Sequence, residues 1–263
     1  RLIEDFMILA NEIVAQEAAR RRLPVPFRVH EPPADDRVGE LREFLSSIGH
    51  SIPGGKLRSM ALQAVLAQTE GGPESTLVST VIIRSMSRAR YDARNIGHFG
   101  LASKAYTHFT SPIRRYSDLA LHRVIIRMIV EGKPPLEQWD DKHLEAITER
   151  TSERERRAEN AERDSIKMKK IEFMLSHLGD ELDGTISGVT TFGFFVLLDR
   201  YFVEGLVHVN SLEDDYYQFI AGSYSLVGEQ RKRRFRLGDR VRVRVARVNK
   251  EDREIDFALM AGR

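Results

Sequence analysis

The 263-residue chain holds 41 Lys and Arg against 39 Asp and Glu, with 8 His and no cysteine. That length suits two ordinary domains, each with its own core, and a formal charge of +2 leaves any polyanion site to local clustering. The missing cysteines exclude disulfides, thiolate metal sites and a cysteine nucleophile, and no apolar run reaches the roughly 18 residues of a membrane span. A soluble, membrane-free protein of a reducing compartment, the cytoplasm, is expected.

In chain order, Leu2, Phe6, Leu9 and Ile13, with Ile3, Met7, Ala10 and Val14, have the spacing of a helix over 1–22 with a broad buried face. The pattern starts at Arg1 without a cap or turn residue, so the chain is expected to be part of something longer. Glu4 shares another face with Asn11 and reads as a solvated first-turn carboxylate. Pro24 and Pro26 end the helix. Helices are expected over about 36–48 and 56–68, with a loop at Gly71-Gly-Pro73; 75–86 is readable as helix or buried strand, and its length and a Ser75 cap favour helix. Asn95-Ile-Gly-His-Phe-Gly100 predicts a short hairpin within 91–101.

The run Ser111-Pro-Ile-Arg-Arg115 reads as a helix entry, with Ser111 as cap and Pro112 as first helical residue. Arg114 and Arg115 would then lie in the first turn, where cations oppose the helix dipole unless an anion gathers them. Two surface arginines and a phosphate site are both open readings. A Ser111, His108 or His122, and Asp118 triad lacks a G-x-S-x-G elbow, and His98, His108 and His122 lack zinc-ligand spacing. Residues 137–178 carry one long helical pattern; between Glu149 and Glu172 its eight basic and seven acidic residues alternate as on a solvated helix, and Glu162 is one of them.

From Gly179 the period changes to that of short strands at 185–189, 193–198, 205–209, 240–248 and 254–259, five strands of a small barrel. The fold class is α+β: a mostly helical part, 1–178, then a five-stranded β-barrel, 179–263. Arg240, Arg242 and Arg244 alternate with Val241, Val243 and Val245, and residues 231–247 hold nine Lys and Arg against Asp239 alone. With Phe192, Phe195 and His208, this supplies stacking platforms and a positive track for single-stranded nucleic acid.

Gly97-His-Phe-Gly-Leu101 through Tyr106-Thr-His-Phe-Thr-Ser-Pro-Ile-Arg-Arg-Tyr-Ser-Asp118 resembles the signature of the RNB family of exoribonucleases, its RNase R-like members above all. Gly184-Thr-Ile, Phe192-Gly-Phe-Phe-Val196 and Glu204-Gly-Leu-Val-His208 resemble the OB fold named after ribosomal protein S-one. The resemblance implies the C-terminal part of an RNB catalytic domain followed by that OB fold, in a processive 3′-to-5′ exoribonuclease. Such an enzyme hydrolyses single-stranded RNA to nucleoside 5′-monophosphates with Mg²⁺.

By the same resemblance, Arg114 grips the phosphate at the cleavage site, Glu4 lines the site near the terminal nucleotides, and Glu162 positions or releases the last nucleotide. Ser111 and Arg115 are implied RNA contacts of the same run. Phe192, Phe195, His208 and Arg253 match RNA-contacting positions of the OB fold, joined by Arg242 and Arg244; Asn249 stands where the family commonly has an aspartate, and keeps an acceptor without the charge. The aspartate cluster that binds Mg²⁺ in the family falls before residue 1, so the metal and the remaining N-terminal part of the same enzyme are expected partners from outside this sequence. The alternative is a non-catalytic RNA-binding or translation-regulating protein on an RNB-like scaffold.

Overall fold

A computed structural model describes residues 2–72, 74–134 and 139–260. By packing, the chain falls into two units: residues 1–39, 52–67 and 82–159, and residues 40–51, 68–81 and 160–263. The expected cut at 178/179 differs from this division, because residues 40–51, 68–81 and the end of the long helix, 160–178, group with the barrel. Phe44, for instance, sets its ring edge-on to Tyr224 at 5.8 Å.

The first unit opens with helix α1 (Leu2–Arg20), in which Asn11, Ala15 and Ala18 are buried. The buried side is narrower than the apolar pattern predicts, since Leu2, Ile3, Phe6, Leu9 and Ile13 are each at least half exposed. Strand β1 (Phe27–Val29) follows the prolines; helices α2 (Asp35–Ser47), α3 (Ser59–Thr69) and α4 (Ser75–Ser85) come next, close to expectation. The loop expected at 71–73 includes Pro73, outside the described residues.

Strand β2 (Arg90–Asp92) pairs antiparallel with β1 rather than with a neighbour in sequence. The expected 91–101 hairpin is therefore absent. Instead the His98 backbone bridges His30 on one side and Ser103 on the other, and Phe99–Leu101 forms a 3-10 turn. Ser103 is only five residues away, but His30 lies 68 residues upstream, so the glycine pattern alone could not show that β1 and His30 take the pairings.

Helix α5 (Tyr116–Ile125) runs on into a π turn over Ile126–Val130. Helix α6 (Asp141–Met174) ends in a 3-10 turn, Leu175–His177; the start expected at 137 lies outside the described residues. Val25, Phe27, Val29, Leu121, Val124, Leu144 and Ile147 build the core of the first unit.

In the second unit, β3 (Glu181–Thr190), β4 (Gly193–Leu198), β5 (Glu204–His208), β9 (Arg240–Asn249) and β10 (Glu254–Leu259) close a barrel in the order β10-β5-β4-β3-β9. All pairs are antiparallel except β5 with β10, which closes the barrel in parallel. Between β5 and β9 the chain inserts a three-stranded sheet of β6 (Tyr217–Ile220), β7 (Ser225–Gly228) and β8 (Arg234–Arg236), which the sequence pattern did not predict. Its strands are three or four residues long, too short for a clear alternation. They still contribute Tyr217, Leu226 and Phe235 to the barrel core beside Phe194, Val196, Val207, Val243 and Phe257.

Candidate functional site

The Ser111 run is not a helix start. Residues 112–114 form a turn, Arg115 is the N-cap with extended backbone, and α5 begins at Tyr116. The Ser111 carbonyl closes the turn by accepting from Arg114 N at 3.3 Å and Arg115 N at 3.1 Å, with Pro112 at the second turn position, which its fixed φ suits.

The expected anion at the helix N-terminus is supplied by the chain itself. Asp118, fully buried in the first turn of α5, accepts from Ser111 N at 2.8 Å and from both arms of Arg115 at 2.8 and 2.9 Å. Ser117 Oγ also donates to it at 3.2 Å. A carboxylate at a helix N-terminus is favoured by the dipole, and a bidentate guanidinium is its strongest partner. Arg115 is thereby committed to the fold. Arg114 is exposed at the end of the same turn, and among the described residues its side chain has no hydrogen-bond or ion-pair partner. Ile113, at the tip, is fully exposed. A phosphate reaching this turn would meet an exposed cation on a pinned base.

Behind the turn lies a network that sequence reasoning missed. Asn11 of α1 donates to Tyr106 Oη at 3.0 Å and accepts from Phe109 N at 2.9 Å, so one buried amide holds the strand-like approach to Ser111 at two points. Tyr91 Oη and His108 Nδ1 are 2.7 Å apart. Burial, reinforced by the charges of Arg115 and Arg28, pushes His108 down to about 3, so its imidazole is neutral and hydrogen-bonded to the tyrosine hydroxyl. Burial likewise raises Tyr91, keeping its hydroxyl protonated. His98 is lowered to about 4, mainly by burial and then by His30, and accepts from Leu101 N. Arg28 lies over the Tyr91 ring at 4.8 Å and pairs with Glu155 of α6 at 2.5 Å. The histidines are packing and hydrogen-bonding groups here, and the positive charge comes from arginine.

Glu4 and Glu162 are both exposed, on the first turn of α1 and on α6. Among the described residues neither side chain has an ion pair or hydrogen bond. Glu162 belongs to the second unit and Glu4 and Arg114 to the first. Among the described residues no three His, Asp or Glu side chains converge as metal ligands, so the donors present do not fit a Mg²⁺ site.

On the barrel, the register puts Gly193 opposite His208, Phe195 opposite Leu206, and Leu206 beside Asp256. Directly paired residues share a face, so Phe195, Leu206, His208 and Asp256 line one outer face of β4, β5 and β10. Phe192 is exposed and meets the half-buried Phe195 edge to face at 6.2 Å. Phe194, between them, is the core residue. Arg253, in the left-handed region at φ 57°, sits in the β9–β10 turn with its guanidinium 3.9 Å from Asp164 of α6. Asn249 caps the same turn, accepting from Glu251 N and Asp252 N.

The basic strand alternates as expected, with Val243 and Val245 buried and Arg242 and Arg244 exposed. Its positive track is partly paired. Arg240 reaches Asp199 at 3.2 Å, Arg242 reaches Glu181 at 3.4 Å and Arg247 reaches Asp256 at 3.9 Å, while Arg244 stands opposite Glu181 in the register. The sequence run lacked acids, but the neighbouring strands bring them.

The fold and these surfaces define a class: a helical domain with an arginine-bearing turn, joined to an OB barrel with an aromatic outer face. Residues 1–131 match the RNB domain family and residues 177–259 the S1 RNA binding domain family. The chain belongs to the RNB family. It is 44% identical over 262 residues to ribonuclease R 1 of Lactococcus lactis, covering 98% of this chain and 32% of that protein. To ribonuclease R of Escherichia coli it is 40% identical, covering 99% of this chain and 33% of the relative. The chain thus spans about a third of the length of these curated relatives. Among solved structures it resembles the apo form of Mycoplasma genitalium RNase R, with a TM-score of 0.90 and 25% identity over 98% of this chain and 41% of that one. Yeast Ssd1, a pseudonuclease, shares the fold at a TM-score of 0.69 and 22% identity, over 85% of this chain and 28% of that one. No described helix is long and apolar enough to cross a membrane.

Proposed function

We propose that the full-length protein is a processive 3′-to-5′ exoribonuclease of the cytoplasm, acting in RNA decay and quality control. Residues 1–178 would form part of its catalytic domain and 179–263 its RNA-binding OB domain. The observation that carries this reading is the Ser111–Arg115 turn. Asp118 neutralises Arg115 and fixes the backbone, leaving Arg114 exposed within the residues that match the RNB domain. In each cycle water attacks the last phosphodiester, the P–O3′ bond breaks, and a nucleoside 5′-monophosphate leaves a strand shortened by one nucleotide with a new 3′-hydroxyl.

Arg114 would bind the scissile phosphate and stabilise the charge that builds on its oxygens. Glu4 and Glu162 would act at the terminal nucleotides, Glu162 in positioning or releasing the last one. We assign Mg²⁺ to the part of the enzyme outside residues 1–263, and the work of this chain is binding and charge stabilisation. Ser111 contributes mainly backbone, and Arg115 acts on RNA through the turn that it holds. Phe192, Phe195 and His208 would stack bases, with Arg253 at the edge of that face.

The test is RNA degradation by the full-length protein with Mg²⁺. Arg114→Ala should lower turnover about 10²–10³-fold, the magnitude typical of a lost transition-state contact, with a much smaller change in RNA affinity. Equal losses in both would sink the transition-state role. Absence of degradation by the unaltered protein would favour the non-catalytic RNA-binding alternative; identities of 40–44% to ribonuclease R across nearly the whole chain support the nuclease.

A further inference from the structure

The nine-cation run over 231–247 is divided by the fold into two groups. Arg233 lies over the Phe235 ring at 4.8 Å and pairs with Asp214 at 3.3 Å; Arg236 pairs with Asp239 at 3.5 Å; Arg240, Arg242 and Arg247 have the acidic partners described above. Four are exposed and form no ion pair among the described residues: Arg244 on β9, and the group of Arg231, Lys232 and Arg234. The latter three sit at the β7–β8 connection, where Gly228 N bonds to Arg233 O at 2.9 Å.

This tip is held firmly. Asp215 accepts from Gln230 N through both oxygens at 3.0 Å, from Arg231 N at 2.6 Å and from Tyr216 N at 2.8 Å. Gly228 leaves the space that this carboxylate fills, since a Cβ there would lie 2.4 Å from Asp215 Oδ2. At its base, Phe235 turns inward between Arg234 and Arg236 and stacks on Phe194 at 4.8 Å, while Leu226 is fully buried. Tyr216, 68% exposed, is tied to the same carboxylate, and its carbonyl accepts from Glu229 N at 2.9 Å. The result is three cations without ion-pair partners among the described residues, on a hairpin whose tip Asp215 fixes, with the exposed Tyr216 ring beside that same carboxylate.

We infer that the β7–β8 hairpin is a second contact for single-stranded RNA, with Arg231, Lys232 and Arg234 on its phosphates and Tyr216 under a base. This surface is distinct in sequence and in sheet from the Phe192, Phe195 and His208 face, and it adds the hairpin to the unpaired charge that Arg244 leaves on strand β9. The inference rests on the proposed reading only in taking RNA as the ligand. Each phosphate neutralised on a single strand contributes about 0.7 to the slope of log K against log salt. Three contacts are worth about 2.

The experiment uses the full-length protein and a fluorescent 20-nucleotide oligouridylate, titrated over a range of KCl concentrations in EDTA. The triple variant Arg231→Gln, Lys232→Gln, Arg234→Gln should flatten the salt slope by about 2 and weaken low-salt binding at least about tenfold. The charge-keeping variant Arg231→Lys, Arg234→Lys should retain the slope. Asp215→Ala, which keeps every cation but releases the tip, should weaken binding with little change in slope. A triple variant with the unaltered slope overturns the proposal. So does a defect seen only with a 20-base-pair duplex, which would make the hairpin a double-strand contact. Failure of the nuclease reading would show separately, as intact RNA when Mg²⁺ is supplied to the unaltered protein.

Discussion

Arg115 and Asp118 form a bidentate pair in which the carboxylate is fully buried and the guanidinium is mostly so, with Nη2 on Oδ1 at 2.8 Å and Nε on Oδ2 at 2.9 Å. Because Oδ1 also holds Ser111 N, the pair ties the two ends of the turn that presents Arg114. Two adjacent arginines thus have opposite duties.

The two arginines should separate cleanly under mutation. Arg115→Ala strands a buried carboxylate and should cost about 3–5 kcal/mol of stability. Arg114→Ala removes an exposed side chain and should stay within about 0.5 kcal/mol of the parent. Urea denaturation of both variants checks this; similar midpoints would mean that the Asp118 pair does not carry the turn.

Asn11 bridges α1 to Tyr106 and Phe109 from a buried position. Asn11→Leu leaves the Phe109 N–H and the Tyr106 hydroxyl without this partner, at about 1–3 kcal/mol for each group that stays unsatisfied. Thermal melting should show a clear drop, and RNA turnover should fall with it because Phe109 leads directly into the Ser111 turn.

Acid should weaken the first unit through its histidines. His108 is neutral in the fold, held at about 3 by burial and then by Arg115 and Arg28, while the unfolded chain binds the proton below about 6.5. Stability is therefore full above pH 6.5 and is lost as pH falls from there towards 3, with a slope of about 1.4 kcal/mol per pH unit for one proton. His98, at about 4, adds to the loss in the same direction. In a pH series of urea midpoints, His108→Gln should be less stable at pH 7 but show a flatter decline between pH 6 and 4. An unchanged decline would mean that His108 is not the group titrating.

Gly193 has no room for a side chain: at φ 156° an added Cβ would sit 2.2 Å from the Val207 carbonyl oxygen. Gly193→Ala should push β4 from β5, destabilise the barrel by about 1–3 kcal/mol, and separate Phe192 and Phe195 from His208. The expected outcome is weaker oligouridylate binding with an undiminished salt slope, measured beside Phe192→Ala, which should lose affinity without loss of stability.

Elements with strong local periodicity were legible along the chain. The helices now at α2, α3, α4 and α6 and the five barrel strands follow from spacing, because a 3.6 or 2.0 repeat reports burial along one element. The Ser111–Arg115 run and the aromatic positions around Phe194 were also legible as motifs, although not which phenylalanine is core. Partnerships between distant segments emerged only in three dimensions. Asp118 turned a supposed helix start into a pinned turn, β1 captured β2 from a predicted hairpin, and Glu181, Asp199 and Asp256 neutralised arginines that look unopposed along the chain. Charge balance and hydrogen-bond satisfaction depend on separations of about 3–4 Å in space, and a linear sequence does not contain those distances.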